Sequence, residues 1–222
     1  KEEEINLATS IVAQMGVEPY LKVLEKREDI DIIVSGRTYD PVPIAVLGIK
    51  NGFDPGLCWH LGKIMECGAL CAEPAGKVMF GTLKNDHFVL EPLNPEERCT
   101  VASVAAHTLY EKTHPYKLPG PGGLTDLSET VFEQLDDRRV KVSGSKFIPS
   151  DVYTVKLEGA KKVGYRSIFV AGIRDPIAIE HIDEIIARVE NEVKEYFSEV
   201  PTESYQMVFH VYGKNGVMGE YE

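Results

Sequence analysis

The sequence predicts an α/β protein, with an α/β first lobe followed by a β-rich α+β second lobe. Three observations carry this. Hydrophobic residues make up 43% of the 222 residues and charged residues 27%, the balance of a chain with a real core. Apolar residues at helical spacing alternate with short apolar runs in the first half. Beyond a Pro/Gly-rich link at 117–123, strand-like runs follow one another closely. The lobes are therefore drawn as residues 1–116, the C-terminal part of a larger α/β domain, and 117–222, a β-rich lobe with one long helix.

In the first lobe, Ile5, Ala8, Ile11, Val12 and Met15 predict a helix over 2–15 that ends before Gly16 and Pro19. A short helix over 18–27 follows. The apolar run 30–34, flanked by charge, reads as a buried strand. Ser35-Gly36-Arg37-Thr38-Tyr39-Asp40-Pro41 then turns strand into helix, with Asp40 as N-cap and Pro41 at the first helical position. Asn51-Gly52 stops that helix. Asp54-Pro55 opens the next, expected to run to about Ala72. A hairpin over 77–91 and a helix over 100–112 complete the lobe.

In the second lobe four strands are expected, at 127–134, 139–143, 151–158 and 166–171. Asp136-Asp137 joins the first two. A helix over 176–197 places Ile179, Ile182, Ile186, Val189 and Val193 on one face. A final strand is expected at 205–212. The chain opens at Lys1 in a helical pattern and stops at Glu222 just after that strand, so it reads as a piece of a longer protein.

Net charge of −11 with scattered basic residues argues against nucleic-acid partners and against docking on anionic membranes. No apolar run is long enough to span a bilayer. Cys58, Cys67, Cys71 and Cys99 are too few for a disulfide framework, so reduced thiols and a cytoplasmic location are expected.

One device occurs twice: an apolar run, a Gly, an Arg, then Asp-Pro opening a helix. It is carried by Gly36, Arg37 and Asp40-Pro41, and again by Gly172, Arg174 and Asp175-Pro176. The bland reading is helix capping. The sharper one is an anion site, because free N–H groups and the positive end of a helix dipole would lie beside a guanidinium. On that reading Arg37, Gly36 and Arg174 bind substrate, Arg37 gripping a carboxylate bidentately. Asp40 is then either a cap or a general base.

Glu66 is the second candidate. Its neighbour Lys63, three positions earlier, makes a surface ion pair the plain alternative. In an apolar helical segment the same carboxyl would have a raised pKa and serve as acid or base. His107 shares a helix face with Tyr110 or Glu111 and is a candidate proton donor, with a core or interface role as the default. His60, Cys67 and Cys71 fall on about one helical face, but CxxC and HExxH patterns are lacking, and no metal is assigned. No cofactor is assigned either.

Four blocks, in order, resemble a known family. They are Gly36-Arg37-Thr38-Tyr39-Asp40-Pro41 (GR-x-x-DP) and Glu66-Cys67-Gly68-Ala69 (ECGA). Arg139-Val140-Lys141-Val142-Ser143-Gly144 (RV-x-VSG) and Tyr153-Thr154-Val155-Lys156-Leu157 (Y-x-V-x-L) follow. Together they resemble the acyclic terpene utilisation, or AtuA-like, family over roughly residues 30–170. The resemblance implies a cytoplasmic protein of branched-acyl and small-acid catabolism, longer than this chain, and often accompanied by a small companion subunit. The stretch 92–98 departs from members with a Gly-rich loop there.

The expectation that follows is a catabolic enzyme or enzyme subunit acting on a small carboxylate or its acyl-CoA thioester by acid–base chemistry, of lyase, hydratase or isomerase type. It is expected to be a homo-oligomer. The rivals are a non-catalytic scaffold subunit of a heteromeric complex and a metal-dependent hydrolase.

Overall fold

The reason α3 lies at the centre of the fold is visible in its sequence. Pro55–Met65 (PGLCWHLGKIM) is apolar on every side, and all of its residues from Gly56 to Ile64 are buried. A helix apolar all round belongs inside a protein. Asp54 caps it by accepting from the Leu57 N–H at 3.1 Å, with Pro55 in the first turn, as the sequence predicts. The helix stops at Met65 rather than at Ala72. Gly68, at φ 64°, takes the left-handed backbone just beyond it.

A computed structural model describes residues 2–27 and 29–221. The elements in chain order are β1 (Ser10–Ala13), α1 (Glu18–Leu24), α2 (Val42–Lys50), α3, β2 (Met79–Leu83), β3 (His87–Pro92) and α4 (Val101–His107). Then come β4 (Lys117–Gly120), β5 (Gly123–Asp126), β6 (Val131–Gln134), β7 (Val140–Ser143), β8 (Lys146–Pro149), β9 (Leu157–Ala160), α5 (Pro176–Glu180) and α6 (Ile182–Tyr196). The protein is a mixed α/β fold with open sheets, as expected.

The strands form a four-stranded sheet in the order β2-β3-β7-β6, a three-stranded sheet β4-β5-β8, and a ribbon β1-β9. Every ladder is antiparallel. The hairpin expected over 77–91 is β2–β3, and the strands expected at 127–134 and 139–143 are β6 and β7. In the β3–β7 register Phe88 faces Val142 and Leu90 faces Val140, and all four are fully buried. They pack with Leu57, Leu61 and Ile64 of α3 and Val104 of α4. The opposite face of α3 gives Cys58 and Trp59 to a second core with Val17, Tyr20, Leu24, Tyr39, Val42, Ala45 and Val46. Two glycines let α2 reach α3. A Cβ on Gly48 would meet Cys58 Sγ at 2.5 Å, and one on Gly62 would meet the Pro41 carbonyl oxygen at 2.6 Å.

The chain divides into two compact units, Lys1–Val163 and Gly164–Glu222. The boundary expected at 116/117 is spanned by the β3–β7 ladder, so strands on both sides of it share one sheet. In the second unit α5 and α6 take the place of a single helix over 176–197, interrupted at His181, where φ is −104° and ψ 26°. Asp175 caps α5 by accepting from the Ala178 N–H at 2.9 Å. Among the described residues of this unit none is buried, and no strand forms.

Several expected elements are absent, for a common reason. The runs 30–34, 166–171 and 205–212 join no ladder among the described residues. Ile32, Val34 and Phe169 are 81, 93 and 92% exposed, so the buried strand at 30–34 is corrected to an exposed segment. The strand expected at 151–158 begins only at Leu157. The helix expected over 2–15 is a 3₁₀ turn, Glu2–Leu7, followed by β1, whose partner β9 registers Ser10 against Ala160.

Candidate functional site

The turn before α2 was expected to present an open guanidinium. It does not. Arg37 Nε donates to Glu158 Oε2 at 2.6 Å and Nη2 to Glu158 Oε1 at 2.7 Å. Its Nη1 donates to Asp40 Oδ1 at 2.6 Å and to the Thr38 carbonyl at 2.7 Å. Asp40 is consequently no helix cap: α2 starts at Val42 with Pro41 at the cap position and no side-chain cap. Glu158, gripped by Arg37 and by Gln14 Nε2 at 2.7 Å, has its carboxyl pushed down to about 2. Since Glu158 lies on β9 and Gln14 directly follows β1, the arginine ties the β1–β9 ribbon to the start of α2. Gly36 is exposed beside it, with open space where a Cβ would stand. Arg174 is exposed in the second unit.

Proton-carrying groups gather instead where the ends of α3 and α4 meet. Lys63, in the last turn of α3, bonds Glu66, the residue that ends the helix. This is the i,i+3 pair of the sequence, but it is buried: the two side chains are 6 and 7% exposed. Burial pushes the Glu66 carboxyl above the usual carboxylate range, and the Lys63 charge offsets this only in part. Glu66 Oε2 is buried with no hydrogen-bond partner.

His107, the last residue of α4, lies against this pair. Its ring hydrogen-bonds with the Ile64 backbone, and burial together with the Lys63 charge lowers its pKa, which favours the neutral ring. His107 Nε2 is buried without a partner. The ring stacks on Tyr110 at 5.6 Å between centroids, and the Lys63 ammonium sits 5.8 Å from the same tyrosine ring. Lys112 closes the cluster. Its Nζ donates to Tyr39 Oη at 2.9 Å. Burial, then the Lys63 charge, pushes its pKa down to about 8. Burial raises the Tyr39 phenol, with Glu66 the next cause, so the phenol stays protonated.

Of the residues expected to act, Glu66 and His107 each have Lys63 as a neighbour, while Arg37 and Asp40 bond each other beside an exposed Gly36. Lys112 and Tyr39 were missed. Tyr39 stood inside a quoted motif, but nothing near Lys112 in sequence marks it, because its partner is 73 residues away.

The helical face of His60, Cys67 and Cys71 does not assemble. His60 is fully buried with its ring nitrogens 2.7 Å from Ser145 Oγ and 3.4 Å from Thr108 Oγ1, while Cys71 hydrogen-bonds with Cys99. Among the described residues no group of three or more His, Cys, Asp or Glu side chains is placed to hold a metal ion. Nor, among them, is any helix long and apolar enough to cross a membrane. A surface depression of about 400 Å³, lined by Arg98, Thr100, Gln134 and their neighbours, contains none of the expected residues.

A family model described as acyclic terpene utilisation family protein AtuA matches residues 86–220. The chain belongs to the AtuA family. No curated protein and no solved structure matches it. The matched region of this AtuA-family chain holds the RV-x-VSG and Y-x-V-x-L blocks, His107 and Lys112. Tyr39, Lys63 and Glu66 precede it. The family's description places it in acyclic terpene utilisation, a catabolic process.

Proposed function

We propose that the chain carries acid–base machinery of a catabolic enzyme acting on a small carboxylate or its acyl thioester, by a lyase, hydratase or isomerase reaction, at the Tyr39, Lys63, Glu66, His107 and Lys112 cluster. The observation that carries this is a pair of buried, unpartnered, proton-carrying atoms, Glu66 Oε2 and His107 Nε2, which share Lys63 as a neighbour. Buried polar atoms are nearly always satisfied, and an orphan calls for an explanation. A substrate oxygen that exchanges a proton with them supplies one.

Burial and charge separate this cluster from Arg37. Around Arg37, which is 35% exposed, two carboxylates face one guanidinium, so the spot is net negative and repels an acid. Around Glu66 the charges of Lys63 and Lys112 are set against Glu66 itself and Asp40, with the Lys63 and Glu66 side chains buried. Lys112 attracts the acid or carbonyl oxygen. Burial raises the Glu66 carboxyl, which suits it to carry a proton to or from a substrate oxygen, and the neutral His107 can accept one.

The reading is tested by thermal shift with short branched carboxylates and their CoA thioesters. Binding at a hundred times Kd adds about 2.7 kcal/mol of stability. The expected result is a rise in Tm for the wild type that is lost in Lys112→Met and retained in Arg37→Lys. Equal shifts in wild type and Lys112→Met would overturn it. The exposed apolar run Ile168, Phe169 and Val170 favours a second reading, a binding subunit for a small companion protein. On that reading no carboxylate shifts the Tm.

A further inference from the structure

We infer that Lys112 is the amine that captures a carbonyl carbon as an imine, so that the substrate of this site carries a ketone or aldehyde function beside its acid group, as an oxo acid does. This rests on the acid–base reading above and names its substrate class.

Three features of Lys112 converge. The first is its partner. Lys112 is half-buried, and a lysine withdrawn from solvent normally meets a carboxylate, because an unpaired ammonium there is costly. Lys112 has no ion pair among the described residues, and its hydrogen-bond partner is the neutral phenol of Tyr39 at 2.9 Å. The second is its backbone setting. Glu111, immediately before it, is at φ 56°, and among the described residues no other non-glycine has positive φ. Such a conformation costs of the order of 1–3 kcal/mol, and the fold tolerates it where it sets a functional geometry. Here it follows the end of α4 and turns the chain so that the next side chain reaches Tyr39. The third is the charge around it. The charged groups that act on its amine are Lys63 and Glu66 at the end of α3, its neighbour Glu111, and Lys156. Burial first, then Lys63 and Lys156, lower its pKa to about 8 against the opposing Glu66 and Glu111, so a useful share of the amine is free at neutral pH.

The step is balanced without an oxidant. The Lys112 nitrogen lone pair attacks the carbonyl carbon, the carbonyl oxygen takes a proton, and the nitrogen loses one, giving a carbinolamine. Loss of that hydroxyl as water leaves the C=N bond. In this step Glu66, whose charge acts on the Lys112 amine, supplies the proton that departs with the water, and the neutral His107 takes up the one released by nitrogen. The imine then withdraws electrons from the adjacent carbon, so that this carbon can lose a proton, or lose a carboxylate as carbon dioxide, with the electron pair taken up as an enamine.

The test uses the full chain, pyruvate or acetoacetate as the probe, and cyanoborohydride to fix any imine as a stable amine, with the modified lysine located by peptide mass spectrometry. An amine of pKa about 8 is free at pH 7 roughly two hundredfold more often than an ordinary lysine. The expected result is labelling of Lys112 at least tenfold faster than of other lysines, and its loss in Lys112→Arg. If that variant unfolds, Tyr39→Phe supplies the check. It keeps the ring but removes the phenol, and it changes the Lys112 labelling rate while the other lysines keep theirs. Adducts spread evenly over surface lysines overturn the inference. If that occurs while 2-methylpropanoate still raises Tm, the imine fails and the acid–base reading stands. If neither is seen, both fail.

Discussion

The buried pair of Lys63 and Glu66 gives the sharpest quantitative test of the site. Glu66→Leu removes the carboxylate and leaves an ammonium 6% exposed. Breaking a buried pair in this way costs about 3–5 kcal/mol. The Tyr110 ring stays 5.8 Å from the ammonium and returns about 0.5–1 kcal/mol, so the lower end, about 3 kcal/mol, is expected. Lys63→Met should cost less, because the stranded carboxyl can take up a proton. Its folded pKa, already raised, rises further above the unfolded value. The folded state then binds more protons than the unfolded one, so this variant gains stability as pH falls toward 5 and loses it as pH rises. The double variant removes both charges and should lie between neutral and about 4 kcal/mol more stable than the wild type. Urea unfolding followed by the fluorescence of the single tryptophan, Trp59, reads all four proteins, since that ring is buried and stacked on Phe147 at 6.0 Å. Single variants that each cost under 1 kcal/mol, or a double variant that loses the sum of the singles, would refute the buried-pair reasoning. A stable double variant without ligand response is the result expected if the pair is retained for chemistry.

Two further predictions concern the frame. His60 is wholly buried and its pKa is pushed down to about 3 by burial, so it folds neutral. The unfolded chain takes up its proton near pH 6.5. Stability should therefore fall by about 1.4 kcal/mol for each pH unit below 6.5, and that slope should flatten in His60→Gln, as read by urea midpoints between pH 7 and 5. Asp54→Ala should lower stability by about 1 kcal/mol through loss of its cap. Asp40→Ala loses one arm of a partly exposed ion pair, and its effect should be smaller than that and shrink further in added salt.

The parts legible in the sequence are those settled within a few residues. The Asp54-Pro55 helix start, the β2–β3 hairpin, the Asp175 cap and the Lys63–Glu66 pairing all depend on local spacing, and all four form. The misread parts depend on distant partners. Ile11 and Val12 fit a helical stripe, yet they pair with Gly159 and Glu158 nearly the whole first unit away. The runs at 30–34 and 166–171 have strand composition, but composition does not supply a neighbouring strand, and without one the backbone stays out of a ladder. The burial of Glu66 was legible because an acid in an apolar stretch is conspicuous. Lys112 was not, because a lysine after a helix end looks like any solvated residue until the fold brings Tyr39 to it.

The Asp-Pro turns show how one sequence pattern gives two different local structures. Three occur, at 40–41, 54–55 and 175–176, and by pattern alone all are caps. At Asp54 and Asp175 the carboxylate meets the backbone N–H three residues on. At Asp40 it does not, because Arg37 lies three residues before it and offers a charge-assisted bond at 2.6 Å. Such a bond is roughly twice as strong as one between neutral groups. Arg174 lies next to Asp175 in sequence and leaves the cap there intact. So an arginine's spacing from the aspartate separates two turns of the same composition. Where it competes, the result is a braced strand ribbon with its positive charge consumed. For that reason the acid-binding role is proposed for the amines at positions 63 and 112 rather than for Arg37.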